Sequence, residues 1–176
     1  MRRKDKRKQT EFLQVYEPIH ENFVRFCQAR ARGVMNYEDL VSESTLKAYQ
    51  NWEKINKKDS LKYFLFTTAR NLVLNTIRKK QELSLEDVNE DYVSSNNDGE
   101  KDMEIEFLYL QLEKLSDVKK EALILFEING FAIKEIAQIQ GISEGAVKVN
   151  LSRGRKELQQ LMIDTPKIHQ ETEVLT

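Results

Sequence analysis

The sequence predicts an all-α protein made of two small helical domains joined by an acidic flexible linker, the second of them a helix-turn-helix domain. Three observations lead there. Both prolines, Pro18 and Pro166, sit near the ends of the 176-residue chain, so a long interior lacks the strongest helix breaker. Apolar residues recur at three- and four-residue steps through much of that interior, the period of a helix with one buried face. The net charge of −1 also hides a sorting along the chain: residues 1–80 carry 18 basic and 9 acidic side chains, 81–106 carry 1 and 10, and 107–176 carry 9 and 10.

Composition excludes several classes. One cysteine, Cys27, rules out an internal disulfide, and the longest apolar run, from Ala122 to Phe126, is far too short to cross a bilayer. The basic start, Met1 to Lys8, is followed by polar residues where a signal peptide needs an apolar stretch, so a cytoplasmic protein is expected. A basic tail over 1–9, a first domain over 10–80, a linker over 81–106, a second domain over 107–163 and a tail over 164–176 follow from these shifts.

In the first domain, Phe12, Val15, Tyr16, Ile19, Phe23, Phe26 and Cys27 mark one helix face that runs to about Arg32, with room for a bend at Pro18 and a stop at Gly33. Asn36 is a good N-cap, with Asp39 in the first turn where the helix dipole favours a carboxylate, and a second helix follows through Leu40, Val41, Ala48 and Trp52. Ser60 opens a third, with Leu61, Phe64, Leu65, Thr68, Leu72 and Ile77 inside and Arg78, Lys79 and Lys80 at its end. On it Asn71, Asn75, Arg78 and Lys79 share one exposed face. That face reads either as a strand-binding surface of amides and cations or as a solvated face whose cations complement the helix C-terminus. The run Asp39-Leu-Val-Ser-Glu43 reads either as a helix start or as a docking face for a protein.

The acidic segment combines like charges with Ser, Asn and Gly, and it buries too little to offset its ordering entropy. It is a solvated spacer or an acidic strand that imitates nucleic acid inside a basic channel.

The second domain carries the sharper pattern. Leu108, Leu112 and Leu115 lead to Ser116, a candidate N-cap for a helix through Ala122, Leu123 and Phe126 that ends at Asn129-Gly130. Ile133, Ile136 and Ala137 then supply an inner face, with Ala137 small enough for a close helix crossing. Gly141 permits a left-handed turn, Ile142 plugs the core, and Ser143 caps a last helix through Val147, Leu151, Leu158 and Leu161. This phase turns Lys148, Ser152, Arg153, Arg155 and Lys156 to solvent, four cations against the single anion Glu144 over 143–156. A DNA-recognition helix fits, with Lys148 and Ser152 on base edges and Arg153, Arg155 and Lys156 on phosphates. The plainer alternative is a basic amphipathic helix in an ordinary bundle.

From about residue 10 to 162 the chain resembles a bacterial extracytoplasmic-function (ECF) sigma factor, a promoter-specificity subunit of RNA polymerase. Asp39-Leu-Val-Ser-Glu43 is similar to that family's Asp-Leu-Val-Gln-Glu motif, and Phe64-Leu-Phe-Thr-Thr-Ala-Arg-Asn-Leu72 to its Trp-Leu-x-x-Ile-Ala-Arg-Asn stretch. Leu115 to Leu123 and Gly141 to Lys148 resemble the unit that reads the −35 element. Phe64 replaces the usual Trp, Ser42 the usual Gln, and Val149-Asn150 the common Ser-Arg, so the promoter sequence does not carry over.

The resemblance implies that Asp39, Leu40, Val41 and Glu43 dock on the β′ coiled coil of core polymerase. It implies that Tyr63, Asn71, Asn75, Arg78 and Lys79 capture the melted −10 strand, and that the linker threads toward the polymerase active centre. It also implies an anti-sigma factor as a partner, and neither a cofactor, a metal nor a small-molecule substrate. The competing readings are a stand-alone helix-turn-helix regulator, which would bind one duplex tightly without polymerase, and an enzyme. Against the enzyme, His20 and His169 lie far apart and the chain has no phosphate-binding loop, nucleophile elbow or paired-cysteine pattern.

Overall fold

The computed structural model describes residues 3–55, 58–84 and 103–164. Among them the chain is helical throughout, with α1 (Arg3–Ala31), α2 (Tyr37–Gln50), α3 (Trp52–Ile55) and α4 (Lys58–Ser84) in the first half. The second half contains α5 (Met103–Leu112), α6 (Asp117–Leu123), α7 (Ile133–Gln140) and α8 (Glu144–Asp164). The all-helical class and the two helical units are as the sequence predicts. The core of the acidic segment, 85–102, and the tail over 165–176, with His169, lie outside the described residues.

Helix α1 keeps going through Pro18, which removes one backbone hydrogen bond without ending the helix. Burial explains the tolerance: Phe12, Tyr16, Phe23, Phe26 and Cys27 all face the core, each large side chain contributing about 1.5–3 kcal/mol. The helix begins at Arg3, so the basic residues expected as a tail continue its first turns, where Arg7 pairs with Glu11 at 2.7 Å. It ends where Gly33 takes φ +66°, and Lys80 Nζ donates to the freed Val34 carbonyl at 2.6 Å.

Asn36 caps α2 as predicted, its Oδ1 accepting from the N–H groups of Glu38 at 2.7 Å and Asp39 at 3.2 Å. The helix stops at Gln50, however, and Trp52 opens the separate short α3. Helix α4 runs past the three terminal cations to Ser84, so the first residues assigned to the linker are helical, as are the last, from Met103.

In the second half, α6 passes into a π-helical turn over Ile124–Ile128, closed by Asn129 N–H donating to Ile124 O at 3.1 Å. Gly130 (φ +70°) ends it. Ser116 stands at the N-cap of α6 without a side-chain capping bond, whereas Ser143 Oγ does accept from Ala146 N–H at 3.1 Å. Gly141 takes φ +67° between α7 and α8, the left-handed turn the sequence calls for. Gly154 of α8 makes a close crossing with α6, its position leaving only 3.2 Å between an added Cβ and Leu123 Cδ1.

The two halves are packed against each other over one core. Phe131, at the start of the helix-turn-helix, lies edge-on to Phe66 of α4 with ring centroids 4.7 Å apart, and Phe66 in turn touches Phe23 and Phe26 of α1. Asn22 and Asn129 bind each other reciprocally: Asn22 Nδ2 donates to Asn129 O at 3.2 Å, and Asn129 Nδ2 to Asn22 O at 2.9 Å.

Candidate nucleic-acid interface

Helix α8 is set by Val147, Leu151 and Gly154, which are buried and hold it against α6 and α7. Opposite them Lys148, Ser152, Arg153, Arg155 and Lys156 are all exposed. Arg155 is not free: its Nε and Nη2 both donate to Glu127 Oε1, at 2.8 and 2.7 Å, and its guanidinium lies 5.0 Å from the Phe126 ring centroid. It sits on the flank of the helix, beside an apolar groove of about 500 Å³ lined by Leu112, Leu158 and Met162. The middle of the outer face is instead Val149, 45% exposed and turned about 200° from the buried Val147 at 100° per residue. Its phase was legible, but an apolar side chain is easily assigned inward.

On α4, Asn71, Asn75, Arg78 and Lys79 are exposed together, and Arg78 reaches Glu82 at 3.8 Å. Tyr63 is only half-buried, and its hydroxyl donates to Glu135 Oε1 of α7 at 3.3 Å.

The α2 face requires a correction. Leu40 is fully buried, because its position one turn before Ser44 and two before Ala48 places it in the inner stripe, so it packs the core and is not available to a partner. Asp39 and Glu43 are exposed, Val41 is partly buried, and Leu46, 55% exposed, is an apolar side chain left uncovered on their side. A helical wheel drawn from Asp39 finds Leu46 seven residues on.

A polar network that no local spacing announces joins the halves. Arg30, fully buried, forms two 2.9 Å hydrogen bonds to Asp117, and its Nη2 lies 3.1 Å from Glu121 Oε2. Glu121 is 1% exposed and also accepts from Arg70 Nε at 2.8 Å and from Gln140 Nε2 at 3.0 Å. Lys62 Nζ meets Glu135 at 3.0 Å and sits 4.2 Å from the Phe131 ring centroid. Arg32 reaches Glu106 at 2.7 Å and Glu113 at 3.4 Å.

Burial alone would push the Glu135 carboxyl up, but the Ala132 N–H, the Lys62 ammonium and the Tyr63 hydroxyl together outweigh it and hold the carboxyl below its usual value. Burial pushes the Cys27 thiol up, away from the thiolate a nucleophile needs. His20 Nδ1 is 2.9 Å from the Tyr16 hydroxyl. Among the described residues no cluster of His, Cys, Asp and Glu is arranged to hold a metal, and no helix is long and apolar enough to cross a membrane.

Comparison with known proteins agrees on both halves. Residues 15–82 match the family described as Sigma-70 region 2, and residues 108–158 match Sigma-70, region 4. The ECF RNA polymerase sigma factor EcfG of Rhodopseudomonas palustris (strain TIE-1) is 32% identical over 128 residues, covering 71% of this chain and 70% of the relative. The ECF RNA polymerase sigma factor SigM of Bacillus subtilis (strain 168) is 28% identical over 152 residues, covering 84% and 93%. Among solved structures, the sigma factor RpoE in complex with the anti-sigma factor NepR from Bartonella quintana superposes with a TM-score of 0.72 at 26% identity, covering 90% of this chain and 98% of that one. CnrH in complex with the cytosolic domain of CnrY gives 0.66 at 19% identity, covering 89% and 91%, a likeness of fold.

Proposed function

Because the chain belongs to the ECF RNA polymerase sigma factors, we propose that three of its surfaces divide the work of promoter opening. The exposed edge of α2, with Asp39, Glu43 and Leu46 and with Val41 beside them, docks on the β′ coiled coil of core polymerase. The outer face of α8 enters the major groove of the −35 element, with Lys148 and Ser152 at base edges and Arg153 and Lys156 on phosphates. The α4 face captures the melted −10 strand through Asn71 and Asn75, while Arg78 and Lys79 hold its backbone and Tyr63 offers a ring for stacking.

The division into domains over 10–80 and 107–163, with a linker between, belongs to the same reading. So do a cytoplasmic location, the absence of bond chemistry in this chain, and an anti-sigma factor as its regulator; the RpoE structure is a complex with the anti-sigma factor NepR.

The observation that carries the reading is the coexistence in one chain of an exposed basic α8 and a separate amide-and-cation face on α4. A duplex-only regulator has no use for the second. Extruding a base costs a few kcal/mol, so strand capture has to be organised by a larger assembly, and the free chain is expected to bind promoter duplex poorly.

Co-elution with core polymerase followed by transcription in vitro from a random promoter library tests this. Specific transcripts are expected, and Leu46→Asp should reduce co-elution. Tight, specific duplex binding by the chain alone, with no transcripts from added polymerase, would establish a stand-alone regulator instead.

A further inference from the structure

Six ion pairs cross between the halves among the described residues, and their polarity is uniform. In every one the cation belongs to the first half (Arg30 of α1, Arg32 just past its end, Lys62 and Arg70 of α4) and the carboxylate to the second half. An interface selected only to hold two domains together has no reason to place all its cations on one side. The first half therefore presents a strip of four cations from α1, the turn after it and α4, and Glu106, Glu113, Asp117, Glu121 and Glu135 set anionic oxygens against it.

The strip is continuous with the α4 face described above. Arg70 Nη1 is 3.5 Å from Asn71 Oδ1, and Lys62 shares Glu135 with Tyr63. Guanidinium groups suit phosphate oxygens for the same reason they suit carboxylates, through paired N–H donors. The geometry points to this strip as a binding site for the backbone of single-stranded nucleic acid, occupied in the closed chain by the carboxylates of the second half, so that strand and second half compete for it. The inference rests on the strand-capture reading of α4 and adds to it the residues Arg30, Arg32, Lys62 and Arg70 and an intramolecular competitor. An acidic protein would meet the same cations and the Tyr63 hydroxyl, but the amides of Asn71 and Asn75 beside the strip suit base edges and add nothing specific for a carboxylate chain.

The test is to hold the contact shut and release it in one protein. Asn22→Cys with Asn129→Cys puts two thiols across the contact, outside the strip, and a short reducible bis-maleimide bridges them. The buried Cys27 is shielded. Binding of a fluorescent random-sequence single-stranded DNA 20-mer is measured before and after reduction, with polyglutamate as a second probe.

The bridged chain is expected to bind the strand at least about tenfold more weakly. Reduction should steepen the plot of log affinity against log salt by about 3, since four cations at about 0.7 each become available to phosphates. Equal affinity in both states overturns the proposal. Failure of the thiols to bridge also overturns it, because the faces are then not adjacent. A gain for polyglutamate with none for DNA assigns the strip to an acidic protein and overturns it as well. Should the cysteine pair fail to fold, Asp117→Asn loosens the contact in the otherwise native chain, and unchanged strand affinity there counts against the site.

Both redox states are also tested for co-elution with core polymerase. Loss of co-elution in both sinks the sigma-factor mechanism and leaves the DNA result to stand or fall separately.

Discussion

Arg30 and Asp117, 87 positions apart in the chain, meet as a fork on a fork, with both terminal nitrogens of the guanidinium donating to the two carboxylate oxygens at 2.9 Å. The arginine is fully buried and its Nε has no partner, so the pair is committed to this one arrangement.

Removing the cation therefore leaves Asp117 without its bidentate partner and the buried Glu121 with Arg70 as its remaining cation. Arg30→Met should weaken the contact between the halves by about 3–5 kcal/mol, the range for breaking one side of a buried ion pair. Calorimetry is expected to show one transition for the native chain and two for the variant, as its halves unfold separately. A single transition at an unchanged temperature would show that Phe66 and Phe131 hold the halves without help.

The Glu135 carboxyl gives the same contact a pH dependence. Its value is held below the ordinary 4.5 in the folded chain. A depressed carboxyl contributes stability that is fully present above the unfolded value and is lost as pH falls through the folded one. The stability difference between the native chain and Glu135→Gln is thus expected to be constant near neutrality and to shrink below about pH 4.5. Denaturant titrations of both proteins across that range check it. A difference that grew on acidification would mean the carboxyl is bound in its neutral form.

What could be read in advance depended on how far apart the cooperating residues lie. Helices α1, α2, α7 and α8 follow from apolar periodicity and from Asn36, Gly33, Gly141 and Ser143, all signals within a few residues of what they determine. The exposed faces of α4 and α8 follow from the same phase. Leu40 was misread because its motif suggested docking while its phase, shared with Ser44 and Ala48, indicated burial. Arg30, Glu121 and Gln140 had no local signal at all: a charged residue in an apolar stripe is informative only when its partner is known, and here the partners lie in the other half. The only hint was the uneven distribution of charge between the two ends of the chain.

Two glycines of α8 separate packing from helix propensity. A Cβ at Gly154 would stand 3.2 Å from Leu123 Cδ1 and 3.4 Å from Lys119 Cβ, whereas at Gly145 it would meet only Ser143 Oγ at 3.9 Å. Both substitutions to alanine gain up to about 1 kcal/mol of helix propensity. Lys119 Cβ is fixed to the backbone of α6 and cannot swing aside, and Leu123 is buried, so overpacking at Gly154→Ala costs about 1–3 kcal/mol and should win, lowering the melting temperature. Gly145→Ala should raise it. Equal shifts in one direction would show that α8 is free to move away from α6.

The recognition helix offers the most discriminating comparison, because its exposed residues differ in what else they touch. Lys148 has an open position near the helix start, so Lys148→Ala is expected to weaken and relax −35 recognition by about 1–3 kcal/mol if it contacts a base. Val149, at the centre of the face, has only methyl groups to offer, so Val149→Ser should alter preference at one thymine-bearing position and leave the salt dependence of binding unchanged. Arg155 is already engaged by Glu127 and Phe126. Arg155→Ala should thus lower domain stability by less than about 1 kcal/mol, as for an exposed pair, with little effect on which promoter is chosen. Promoter-library transcription with the three variants separates the roles. A change of preferred sequence in Arg155→Ala would place that side chain in the groove, and a uniform loss across all promoters in Lys148→Ala would move it from the bases to the phosphates.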